Sequence, residues 1–153
     1  MSEVETGGRQ WRTYAVTAGV TAFAANWVWE MAHMRTCREL EIQPWLQTIP
    51  MCTVAASGDV ILTVVPYVCG ALIAWNARLA WTGRVKTYLS LAALGFATAA
   101  TGEYIGLAAD EWTYNERMPI VPELGIGAWP ALQLTLLVPR SLVVANFARR
   151  RVR

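Results

Sequence analysis

The chain has 153 residues, 55% of them hydrophobic and 16% charged, with 13 basic and 11 acidic side chains for a net charge of +2. A soluble domain carries about 25% charged residues, so the polar cover is too thin for a water-exposed surface, and disorder or a collagen-like repeat is excluded by the same composition. Three cysteines are too few for a disulfide scaffold and +2 is too little charge for a nucleic-acid binder, which leaves a single-domain integral membrane protein over residues 1–153.

A helix needs about 20 mostly apolar residues to cross the hydrocarbon core. Four windows qualify. After a short polar tail, Met1–Arg12, the first runs from Thr13 to Met34 and carries one acid, Glu30. Bulky Asn26-Trp-Val-Trp-Glu30, with no small-residue site beyond it, argues against a cleaved signal peptide. The second window covers about Met51 to Ala77 and holds only Asp59, the third covers Thr87 to Ala109 with Glu103, and the last covers Leu124 to Ala148 with Arg140. A basic tail, Arg149–Arg153, follows. Short connections make neighbouring spans antiparallel, so the predicted fold is an all-α, up-down bundle of four transmembrane helices. Small residues (Gly58, Gly70, Gly95, Gly102, Gly125 and Gly127) are expected to let helices approach closely. Nine Lys and Arg fall on the side of the two termini and three on the other, which places both termini in the cytoplasm of a bacterial inner membrane.

With that topology Glu30, Asp59 and Glu103 lie at one level in the outer half of three helices, with Asp110 just beyond. An ionisable side chain at mid-membrane costs about 2.5–3.5 kcal/mol and faces the bundle interior, so the pattern predicts one shared polar cavity. Carboxyls crowded into such a pocket cannot all ionise, and one that keeps its proton is a candidate general acid. Asn26, Glu30 and His33 share one helix face by their i, i+4, i+7 spacing. Glu103 and Asp110 share another if the third helix continues that far. Tyr104, Trp112 and Tyr114 supply aromatic surface at the same height.

Each residue also has a plainer reading. Glu30 and Glu103 could be acids reaching to interfacial water, Asp59 could bond a neighbouring helix, and His33 suits a solvated interface. Glu30-x-x-His33 has the spacing of a carboxylate-bridged metal site, but no second such motif accompanies it, and no metal is expected. Trp11, Trp75, Trp81, Trp45 and Trp129 fit interfacial belts, whereas Trp27, Trp29 and Trp112 lie beside the acids, where an indole face can stabilise a cation. Cys37 and Cys52 flank the first outer loop, either as a disulfide or as two thiols.

The run Asn26-Trp-Val-Trp-Glu30 resembles the Asn-x-x-Trp-Glu segment of the integral-membrane terpene cyclases of fungal meroterpenoid pathways. Those enzymes have about seven membrane helices, so the resemblance covers one helix. It implies Glu30 as the acid that protonates an epoxide or alkene of a prenylated substrate, with Asn26 and Trp29 as its motif neighbours and Asp59 or Asp110 as a second acid. The segment Asp110-Glu-Trp-Thr-Tyr114 is similar to one in small four-span bacterial membrane proteins of unassigned function, and its Trp-Thr-Tyr run resembles the helical lycopene cyclases.

The function expected on these grounds is acid-initiated cyclisation or isomerisation of a lipophilic isoprenoid, with catalytic Glu30, Asp59 and Asp110. Asn26, Trp29, Glu103, Trp112 and Tyr114 would line the substrate site. No cofactor is needed, the substrate arrives from the lipid, and oligomerisation stays open. The alternative is a non-enzymatic membrane protein, a binding, channel or accessory subunit, whose carboxylates hold a cation or tie helices together. A proton-coupled transporter lacks the expected inverted repeat.

Overall fold

The computed structural model describes residues 3–152, with side chains from residue 5 onward. Four long helices carry the fold: α1 (Glu3–His33), α2 (Trp45–Ile73), α3 (Val85–Ala108) and α4 (Ala128–Arg150). They form a ring in which each packs on its sequence neighbours and α4 closes back onto α1, while α2 and α4 barely touch across the diagonal. Three of the four, α2, α3 and α4, are long and apolar enough to cross a membrane. The chain is thus read as a multi-pass membrane protein.

The boundaries differ from those expected. The N-terminal tail is helical from Glu3, so α1 begins about ten residues early; Met1 and Ser2 lie outside the described residues. α2 starts at Trp45, with Pro44 at its N-cap, and stops at Ile73 rather than running to Ala77. Leu124, the expected start of the last span, instead sits in a hairpin loop. Residues Ile120–Val121 (β1) and Ile126–Gly127 (β2) pair antiparallel, with Gly125 at φ +67 turning the chain. A left-handed residue is cheap only for glycine, and it breaks the helical phase there. The architecture is therefore helical with one short two-stranded ribbon, not strictly all-α.

Packing is tightest where small residues let backbones meet. A Cβ placed on Gly95 of α3 would lie 2.6 Å from the Leu134 carbonyl of α4, and α4 meets its neighbours with buried Ala131, Ser141 and Ala145. Gly106 lies under the Trp112 ring. Gly58, Gly102 and Gly125 depart from the close-packing expectation, because nothing lies within 4 Å of a Cβ at any of them.

The half of the bundle toward the termini is filled by Tyr14, Leu79, Leu91, Leu134, Val138 and Leu142. At that end Trp11 and Trp81 rings approach to 4.7 Å, and the Arg149 guanidinium lies 4.1 Å from the Trp81 centroid. Trp75, expected in the same belt, points away and is 95% exposed.

At the other end the α1–α2 and α3–α4 loops join. Arg38 N–H donates to the Thr113 carbonyl and Asn115 N–H to that of Thr36, each at 3.0 Å, and Asn115 Nδ2 reaches the Arg35 carbonyl at 2.8 Å. Glu39 Oε1 accepts from both the backbone N–H and the hydroxyl of Thr113. The filled core and this cap leave a space between them.

Candidate functional site

Helical spacing does what the sequence implies on α1: Glu30 and His33 face the same cavity, with Asn26 one turn deeper. Asn26 is fully buried. Its Nδ2 donates to the Ala22 carbonyl at 2.8 Å, so its Oδ1 is left to accept from another helix. His33 donates from Nδ1 to the Trp29 carbonyl at 2.8 Å, which fixes a proton on that nitrogen.

The residue that joins the helices is Gln133 of α4, which is buried. Its Nε2 lies 3.0 Å from Asn26 Oδ1, 2.9 Å from Glu30 Oε1 and 2.7 Å from Asp59 Oδ2. One amide nitrogen thus holds side chains from α1 and α2 against α4. An amide has two N–H groups, so the three acceptors share two protons.

Glu103 of α3 is buried on the other side and accepts the Tyr114 phenol; the phenol oxygen in turn accepts from Gly127 N–H at 2.9 Å. Tyr114 is held in place by a bridge of its backbone to Cys37. The loop cap and the ribbon therefore position the third acid's partner.

These groups surround a cavity of about 620 Å³. Five acids line it, Glu30, Glu39, Asp59, Glu103 and Glu111, and among the described lining residues there is no lysine or arginine. The rest of the wall is mainly apolar, from Met51 and Leu62 of α2 to Ala99 of α3 and Leu134 of α4, with Trp112 and Tyr114 at the cap. A low-dielectric cavity lined by one sign of charge attracts the opposite sign strongly.

Of the eight residues singled out in the sequence, Glu30, Asp59, Glu103, Trp112 and Tyr114 line this space, and Asn26 reaches it through Gln133. Two do not. α3 ends at Ala108 and Asp110 follows in a left-handed conformation, φ +55, with its side chain exposed, so it leaves the face it would have shared with Glu103. Trp29 packs edge-on against Trp129 at 6.3 Å between centroids and donates to the Trp129 carbonyl, away from the cavity lining. Gln133 is not among the residues expected from the sequence, because the one charge of its span, Arg140, draws attention away from a neutral amide. The signal was present, since a lone glutamine interrupts an otherwise apolar stretch of the last span.

The cysteines are all free, so Cys37 and Cys52 form no bridge; Cys52 Sγ instead contacts Met34 Sδ at 3.9 Å. Cys37 lies in the loop cap, where burial, with the carboxylates of Glu30, Glu39 and Glu103 behind it, pushes its thiol up to about 12. It stays protonated and is a poor nucleophile. Among the described residues no three His, Cys, Asp or Glu side chains are grouped so as to hold a metal ion. No protein-family model, curated protein or solved structure matches the chain.

Proposed function

We propose that this protein is an acid-initiated isoprenoid cyclase or isomerase of the bacterial inner membrane, built on four spans with both termini in the cytoplasm. The observation that carries the reading is the convergence of Glu30 and Asp59 on one Gln133 amide at the wall of a largely apolar cavity. In this scheme a proton held between the two carboxyls passes from Glu30 either to an alkene carbon, leaving a cation on its neighbour, or to an epoxide oxygen, whose C–O bond breaks to give a hydroxyl and a carbocation. Asp59 and Glu103 offset the positive charge, Trp112 and Tyr114 shield it from water, and Asp59 takes back a proton at the end. A cavity of about 620 Å³ falls within the roughly 300–1,000 Å³ that holds one small organic ligand.

Assigning α1 as a fourth span draws on its length, about 46 Å at 1.5 Å per residue, and on its outward face, where Val16, Val20 and Val28 are each about 60% exposed. Soluble monomers rarely present such surface. The excess of basic residues at the terminal end supports the orientation.

Glu30→Gln keeps shape and hydrogen bonding but removes the acidic proton. The expected result is loss of product from prenyl substrates with expression and detergent stability retained; continued conversion refutes the assignment. The second reading, a non-enzymatic subunit whose carboxylates bind a cation, is favoured by the five acids without a facing base. It predicts cation-dependent stabilisation that Glu30→Gln weakens, and no turnover.

A further inference from the structure

The cavity is not closed on every side. On α2 the flank toward α1 is marked by Thr53, whose hydroxyl accepts from the Trp27 indole at 3.1 Å. Turning 100° per residue, Met51, Ala55, Gly58 and Leu62 fall on the opposite flank, the one that faces α3 in the ring. Those four all line the cavity, and Met51, Ala55 and Gly58 are exposed rather than packed against α3. Across the seam α3 contributes Ala99, Gly102 and Glu103. Helices α2 and α3 also pack most loosely of the four neighbouring pairs. At the seam stand two glycines at which an added side chain would meet nothing, Gly58 and Gly102. Between other helices Gly95 is covered by Leu134, and deeper on α2 Gly70 is covered by Leu79 and Leu91.

Acids line the cavity from the loop cap, with Glu39 and Glu111, down to Glu103 and Asp59 beside the seam, and no lysine or arginine is among the described lining residues; the apolar part of the seam is Met51, Ala55, Leu62 and Ala99. A phosphate, diphosphate or carboxylate head would enter against five carboxyl groups with no cation to receive it. A neutral hydroxyl, epoxide or quinone head would find donors and acceptors, and its hydrocarbon tail would lie along Met51 and Leu62.

We infer that the α2–α3 seam is a lateral portal open to the bilayer, gated in width by Gly58 and Gly102, and that it admits lipid-soluble molecules with an uncharged polar head while excluding prenyl diphosphates and fatty acids. The inference rests on the cavity proposed above as the reaction site and adds the route and the charge class of what enters.

The test is binding without turnover, using the full chain in nanodiscs and tryptophan quenching, with farnesol, farnesyl diphosphate and palmitate as probes. Farnesol binds the unmodified chain and the other two do not. Gly58→Leu and Gly102→Leu each weaken farnesol at least tenfold, whereas Gly19→Leu, at an α1 glycine also without neighbours, leaves it within twofold. Gly58→Cys alkylated with N-ethylmaleimide after folding, beside an alkylated unmodified chain, adds the same bulk without involving folding. Absence of farnesol binding, equal binding of the diphosphate, or plugged variants that bind as well as the parent overturns the portal. A chain that binds farnesol through this route yet makes no product from any prenyl compound refutes the cyclase reading alone.

Discussion

Replacing Gln133 with leucine removes the one donor that ties α1, α2 and α4 at the cavity wall. Two of its three acceptors, Glu30 and Asp59, line open space and can be hydrated, so their loss is partly made good. Asn26 is fully buried, and water cannot replace the bond to its Oδ1. Leaving a buried acceptor unsatisfied costs about 1–3 kcal/mol, and a hydrogen bond to a charged group contributes about 1.5–3 kcal/mol, of which hydration returns a part. The net expectation is about 2–4 kcal/mol. At about 2–4 °C per kcal/mol for a chain of this size, the melting temperature in detergent, followed by intrinsic fluorescence, falls by roughly 4–16 °C. The decisive comparison is the pair Asn26→Leu/Gln133→Leu. If the cost comes from an orphaned polar group, removing both partners restores much of the loss, and the double variant is more stable than the sum of the singles by at least ~1 kcal/mol. Strict additivity, or a Gln133→Leu chain that melts within 2 °C of the parent, refutes the reasoning.

Gly95→Leu forces a side chain into the Leu134 carbonyl, 2.6 Å from the new Cβ, and should cost about 1–3 kcal/mol or more, read as a lower melting temperature; an unchanged value would show that α3 and α4 are not in close contact. Arg149→Ala removes the cation over Trp81, worth about 0.5–2 kcal/mol, and thermal melts should register the loss, with no change counting against the stacked arrangement. Because burial raises the Cys37 thiol to about 12, its alkylation by iodoacetamide, followed by mass spectrometry, should still be accelerating at pH 10; a rate that levels off between pH 8 and 9 contradicts that environment. Glu39→Ala breaks two bonds to Thr113, so amide exchange at Thr113 should speed up severalfold while the middle of α3 is unaffected, and equal protection in both chains would mean the cap does not depend on this carboxylate.

Much of the fold was legible because membrane helices announce themselves locally. Runs of Ala, Val and Leu over about 20 residues mark α2, α3 and α4, and a 3.6-residue repeat places Glu30 and His33 on one side of α1. The ends were less legible. Thr6–Arg12 is polar yet helical, and the hairpin at 120–127 hides behind apolar residues that read equally well as helix. Asp110 shows the limit most plainly: its i+7 relation to Glu103 holds only while the helix lasts, and the helix stops at Ala108.

Taken alone, the chain's order of residues pointed to long helices apolar enough to cross a membrane and to an acid on each of three of them, because hydropathy and helical period are properties of neighbours along the backbone. Which of those acids meet, that a neutral glutamine joins them, that two distant loops cover them and that two glycines stand open at a seam were decided only when the helices packed. The hydrogen bonds that make these relations join groups 74 to 107 residues apart, and a neutral amide or an absent side chain leaves no periodic trace that tells which distant residue it meets.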